Sequence, residues 1–212
     1  MSLLKKIAAC ICLTLCIANS IAAQPYEYKV GETLKDALKK DNAPASLKEN
    51  YKSLNWEELT PANWDPMKSI KGLDLSKLQD SDPKAIEALE TAKKDWDNAP
   101  VIDSLDGVRV HVAGFVVPLD NDYNHLKEFL LVPYFGACIH VPPPPSNQVI
   151  HVILPPNTNK DQLAVLKNAM VLQLPLEVKG IMQTKPSFTK MAVSSYTIHS
   201  EILQRYQPPD AK

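Results

Sequence analysis

Eighteen prolines against only six glycines, in a chain of 212 residues, narrow the folds available to this sequence. Proline fixes φ and lacks an amide hydrogen, so it breaks helix interiors and central strands and favours stiff extended connections. Long uninterrupted helices are therefore disfavoured, and strands ending in rigid links are expected. Hydrophobic residues at 45% and charged residues at 22% are ordinary globular values, which excludes wholesale disorder. A net charge of −1 gives no electrostatic footprint for nucleic acid.

Residues 1–23 read as an export signal rather than as structure. Lys5 and Lys6 precede an apolar stretch from Ile7 to Ile17 that is too short to span a bilayer, and Ser20-Ile21-Ala22 and Ile21-Ala22-Ala23 both resemble signal-peptidase sites. The competing reading is an uncleaved N-terminal anchor. No later apolar run reaches membrane length, so the expectation is a Sec-exported protein in the periplasm of a Gram-negative cell. Cleavage after Ala23 removes Lys5 and Lys6 and takes the net charge to −3. It also removes Cys10, Cys12 and Cys16, leaving Cys138 alone. A single cysteine forms no internal disulfide. Its thiol is then buried and inert, paired with another chain, reactive, or bound to metal.

Residues 24–104 carry no strong β-pattern and read as a helical or irregular extension packed on the domain that follows. Thr33-Leu34-Lys35-Asp36-Ala37-Leu38 offers an N-cap followed by apolar residues four apart, and Leu54 to Leu59 reads as one short helix. A clearer helix begins at Pro83, with Asp82 as its N-cap, and runs to Trp96. Trp56, Trp64 and Trp96 are read as the anchors by which this segment packs; the alternative is a binding groove.

From Gly107 the period changes to two. Residues 105–206 read as a mainly β (α+β) domain, with 207–212 as a tail. Val108, Val110 and Val112 alternate with Arg109, His111 and Ala113 in a long strand that continues to Pro118, with a bulge or sharp bend expected at Gly114. Further strands are expected over 129–132, 149–154, 174–182 and 193–203, with a helix from Asp161 to Met170 between the third and fourth. That order fits an OB-like five-stranded small barrel, the alternative being an open antiparallel sheet with a helix on one face.

The chemistry concentrates in Gly136-Ala137-Cys138-Ile139-His140, followed by Val141, four prolines, Ser146, Asn147 and Gln148. Cys138 and His140 are two apart, so in extended backbone both side chains leave one face. Thiolate and imidazole are the ligand types preferred by zinc and by copper. The prolines would hold the pair rigidly, and Asn147 and Gln148 would bridge backbone groups across the turn or support the ligands. The plain alternative is a buried cysteine beside a hydrogen-bonded histidine. His151 is the better candidate for a third ligand and His111 the weaker; Glu128, Asp120 and Asp122 are weak oxygen donors, and His125 and His199 have no nameable partner. A thiol-enzyme reading is disfavoured, because side chains two apart on a strand diverge by roughly 7 Å at Cβ, too far for the ~3 Å thiol–imidazole bond that activation needs. No Ser-His-Asp pattern, phosphate loop, Cys-x-x-Cys pair or His-Glu-x-x-His motif is legible.

Gly114 to Leu119, Phe129 to Pro133, and the run from Cys138 to Gln148 resemble the signature blocks of an exported bacterial family known as domain of unknown function 3299, and Trp56-Glu57-Glu58-Leu59 resembles its upstream Trp-x-x-Leu element. The resemblance spans roughly residues 50 to 205, with Cys138, His140, Asn147 and Gln148 as signature positions. It implies a periplasmic protein that often accompanies an ABC-type permease and ATPase, in some bacteria within zinc-responsive gene sets. The leading expectation is thus a non-enzymatic periplasmic metal-binding accessory or metallochaperone holding Zn2+, or copper, through Cys138, His140 and His151. The alternatives are a metal-free interaction module that docks on a permease through the proline loop and the tryptophan-bearing segment, and a thiol enzyme or redox sensor.

Overall fold

The computed structural model describes residues 29–31, 33, 50–71, 82–120, 126–141 and 143–207. The expected export signal, the short helix after Thr33, His125 and nearly all of the tail lie outside the described residues.

Among the described residues eight strands are formed: β1 (Lys52–Ser53), β2 (Arg109–Pro118), β3 (Glu128–Val132), β4 (Ile150–Ile153), β5 (Leu176–Gln183), β6 (Ser187–Phe188), β7 (Val193–Ser194) and β8 (Tyr196–Arg205). Five of them close into a barrel in the order β2-β3-β4-β8-β5, with β5 returning to β2. Closure disposes of the open-sheet alternative. All the neighbours are antiparallel except β4 and β8, which run parallel.

Strand β2 serves both sides of the barrel. Residues Arg109 to Gly114 pair with β5, and Phe115 to Pro118 pair with β3. Gly114 marks the changeover because a Cβ there would lie 2.7 Å from the Val132 carbonyl oxygen and 2.9 Å from the Trp56 ring. At this glycine the pairing passes from β5 to β3 with no register shift in either ladder. The register shift sits instead between Lys179 and Gly180, where β5 meets β8.

The alternation read from the sequence sorts side chains to two sides. Val110, Val112, Phe129, Leu131, Ile150 and Ile198 fill the barrel. Phe115, Val117, Leu130 and Val132 face outward into a second apolar cluster. Fully burying one such side chain contributes about 1.5–3 kcal/mol, so both clusters matter to stability.

Helix α1 (Pro83–Asp97) has Asp82 as its N-cap, accepting from the Lys84 amide, and Pro83 in its first turn. Helix α2 (Lys160–Val171) is capped by Asn159 and presents Leu166 and Ala169 to the barrel between β4 and β5. It ends at Leu172, followed by Gln173 at φ 54°.

The extension packs as an integral part of the barrel end. Leu54 and Leu59 join the barrel core. Trp56 donates from Nε1 to the Ala113 carbonyl at 2.8 Å, and Trp96 donates to that of Pro66 at 2.6 Å. Trp56 is thus an anchor of the extension on the barrel, whereas the Trp96 bond joins two parts of the extension itself.

Candidate functional site

The Cys-x-His segment is a turn rather than a strand. The Gly136 carbonyl accepts from the amides of Ile139, His140 and Val141 at 3.3, 2.8 and 3.2 Å. Gly136 stands at φ 83° and Cys138 at φ 64°, both in the left-handed region. The extended-backbone argument that put Cys138 and His140 on one face therefore does not apply. A glycine two residues before the cysteine is the sequence signal for this turn.

The turn is stapled to the outer face of β2. Phe135 meets Phe115 edge-on, with ring centroids 5.8 Å apart. Val30 and Gly31 lie against it, with the Gly31 amide donating to the Phe135 carbonyl at 2.9 Å. Ala137 is fully buried, Cys138 is partly buried within the same apolar cluster, and His140 is exposed. Burial pushes the Cys138 thiol up to about 11. At neutral pH it is a protonated, poorly nucleophilic sulfur, which weakens the thiol-enzyme alternative.

The three expected metal ligands are not brought together. His151 sits on β4 opposite Leu130, on the outer face of the barrel. One of its ring nitrogens, Nε2, lies 3.1 Å from Glu128 Oε2, and the other, Nδ1, lies 2.8 Å from Ser187 Oγ. Both nitrogens are thus engaged, and the ring is buried beneath the β6–β7 hairpin. His111 is paired with Glu177 on β5, and His199 Nε2 meets Gln183 at 3.3 Å. Among the described residues no group of three His, Cys, Asp or Glu side chains is placed to hold a metal ion. Cys138 and His140 alone do not make a tetrahedral site.

Asn147 and Gln148 do not support the Cys138 turn. Pro143 to Pro145 lead into a short 3-10 turn, Ser146–Gln148. From there Asn147 Nδ2 donates to the Pro100 carbonyl at 3.0 Å, and Gln148 Nε2 donates to the Trp56 carbonyl at 2.8 Å and to Thr60 Oγ1 at 2.9 Å. Tyr196 completes the clamp by donating to the Leu59 carbonyl at 2.8 Å and accepting from the Ile102 amide at 2.7 Å. These side chains lock the extension to the barrel.

What the turn does create is a groove. Its floor is Phe115 to Pro118 of β2; one wall is the turn at Phe135 to His140, and the other is the end of α2 at Met170 to Leu174. It encloses about 210 Å³. Of its lining residues Ile139 is 54% accessible, and Val171 and Leu172, between the lining residues Met170 and Gln173, are 74% and 61% accessible. Sequence reading missed this feature, because β2, the turn and α2 are separated along the chain and only folding gathers them.

Residues 56–205 match the model of a family described as a protein of unknown function, DUF3299. The chain is also similar to a solved structure, the crystal structure of a DUF3299 family protein from Pseudomonas aeruginosa PAO1. The two share 30% identity, with a TM-score of 0.52, over 74% of this chain and 97% of that one. No curated protein matches. A match that extends from the Trp56 anchor through the signature turn to the end of β8 places this chain in the DUF3299 family.

Proposed function

We propose that this chain is an interaction module whose working surface is the apolar groove between the signature turn and the end of α2. The observation that carries this reading is a preformed recess lined by Phe115, Val117, Phe135, Ile139 and Met170, with Ile139 itself exposed and with Val171 and Leu172 exposed in the stretch between the lining residues Met170 and Gln173. Scattered exposed apolar residues are ordinary, but an apolar-lined recess with an exposed apolar residue in its wall is the mark of a contact surface. The size of the recess decides the occupant. At about 210 Å³ it falls below the roughly 300–1,000 Å³ of small-molecule and cofactor sites, and it suits one or two apolar side chains of a protein partner. With export read from residues 1–23, the partner would be a periplasmic segment of a membrane transport system. Among the described residues no helix is long and apolar enough to cross a membrane.

The test is selection of twelve-residue peptides displayed on phage against the full chain, with counter-selection against a variant carrying Ile139→Asp and Leu172→Asp. Enrichment of peptides with two closely spaced apolar residues supports the reading. Equal recovery on the variant contradicts it.

A second reading retains metal. It is favoured by Cys138 being held at φ 64°, a conformation that costs a residue with a side chain about 1–3 kcal/mol and concentrates at functional positions. Cys138 and His140 would supply two ligands and a docked partner the rest, zinc or copper displacing the thiol proton. Zinc titration of the chain with and without a selected peptide, beside Cys138→Ala and His140→Ala, tests it. Metal uptake that requires peptide and both side chains supports this reading, and no uptake in either state sinks it.

A further inference from the structure

Away from the groove, on the opposite side of the β3–β4 pair from the barrel interior, three side chains form a chain of hydrogen bonds. Glu128 and His151 are diagonal neighbours on one face of that pair, so a long carboxylate side chain reaches the imidazole. Thr197 stands beside His151 on β8 and donates from Oγ1 to the Lys185 carbonyl at 3.4 Å. That contact fastens the β5–β6 connection onto the sheet and sets Ser187 over the ring. The carboxylate only accepts, so His151 donates from Nε2 to Glu128 at 3.1 Å. Nδ1 is left to accept the Ser187 hydroxyl proton at 2.8 Å. A second observation points to the same place. Ser194 faces Ser187 directly across the β6–β7 ladder, with Cβ atoms of such pairs ~5 Å apart on one face. Its hydroxyl is fully buried and without a hydrogen-bond partner among the described residues. An unspent buried donor is costly to leave unmet, and here it lies beside a serine held by an imidazole.

We infer that Ser187, His151 and Glu128 form a nucleophilic relay that hydrolyses small acyl esters. Nucleophile, base and orienting acid stand within hydrogen-bond reach of one another, the arrangement that serine acyl transfer requires. Ser187 Oγ bonds to the ester carbonyl carbon while its proton passes to Nδ1 of His151. The carbonyl π pair moves onto oxygen, where the Ser194 hydroxyl donates to it. When the C=O re-forms, the alkoxide leaves and takes the proton from Nδ1, departing as the alcohol. Water then attacks the acyl-Ser187 ester, giving a proton to Nδ1. That proton returns to Ser187 Oγ as the carboxylic acid is released. Glu128 is a positioning residue that fixes the imidazole tautomer. Phe188, next to the nucleophile and 79% accessible, offers an apolar contact for a short acyl group.

The full chain is incubated with a fluorophosphonate probe and, separately, with p-nitrophenyl acetate, and the labelled peptide is mapped by mass spectrometry. Label at Ser187 is expected, with ester turnover abolished by Ser187→Ala and lowered roughly 100-fold or more by His151→Gln. Glu128 is largely solvent-accessible, so Glu128→Gln tests the relay without disturbing the core should His151→Gln fail to fold. It is expected to lower kcat with KM unchanged, and Glu128→Asp to recover part of the loss. Absence of label at Ser187 in folded protein, or turnover untouched by Ser187→Ala, overturns the inference.

Discussion

Gln148 donates from Nε2 to the main-chain carbonyl of Trp56 at 2.8 Å, joining the end of the signature block to the start of the family match. Trp56 in turn donates to Ala113 on β2 at 2.8 Å. One side chain thus ties the extension to the 3-10 turn before β4, and its neighbour in that extension ties it to the strand that closes the barrel.

Gln148→Leu removes the donor and leaves the Trp56 carbonyl and the Thr60 hydroxyl short of a partner. An unmet buried polar group costs about 1–3 kcal/mol, and a loss in that range is expected from the denaturant midpoint. An unchanged midpoint would mean that the clamp contributes nothing net.

Gly114→Ala places a methyl group within 2.9 Å of Val132, Leu131 and the Trp56 ring. Overpacking of this kind costs about 1–3 kcal/mol. The expected signature in thermal unfolding is a lowered midpoint together with altered tryptophan fluorescence in the folded state.

Cys138 is raised by burial from an ordinary 9.0 to about 11. In the folded chain its alkylation by iodoacetamide at pH 7.5 is expected to be far slower than in denaturant. The unfolded thiol ionises first as pH rises, so the stability that Cys138 contributes is complete below pH 9 and lost on the way to 11. Cys138→Ala is expected to lose less stability than the parent chain over that window, as read from urea midpoints.

Glu177 is buried, which alone would raise its carboxyl, but hydrogen bonds from His111 and Gln204 and the charge of Lys179 outweigh this and hold it below the usual carboxylate range. A carboxyl lowered on folding adds stability above about pH 4.3 that fades as pH falls through the lowered value. Glu177→Gln is therefore expected to be less stable than the parent at pH 7, with the gap closing near pH 3.

Much of the barrel was legible because its strands carry a period-two pattern that survives folding. Val108, Val110 and Val112 point inward as their alternation required, and Asp82-Pro83 opens α1 as local chemistry dictates. The site was less legible. The two-residue spacing of Cys138 and His140 suggests extended backbone, but Gly136 at φ 83° closes a turn around its own carbonyl. Asn147 and Gln148 read as supports for that pair because they follow it in sequence, whereas their partners lie about 50 and 90 residues upstream, respectively, in the extension. Ser187 carried no pattern of its own, since its contact with His151 exists only once β6 is folded over β4.

The docking reading is tested most directly by calorimetric titration of a selected apolar peptide into the parent chain and into the Ile139→Asp, Leu172→Asp variant, with chelator present throughout. The account predicts at least a tenfold loss of affinity in the variant, with its thermal midpoint unchanged. Equal affinity for the two proteins would place the peptide elsewhere and contradict the assignment of the groove.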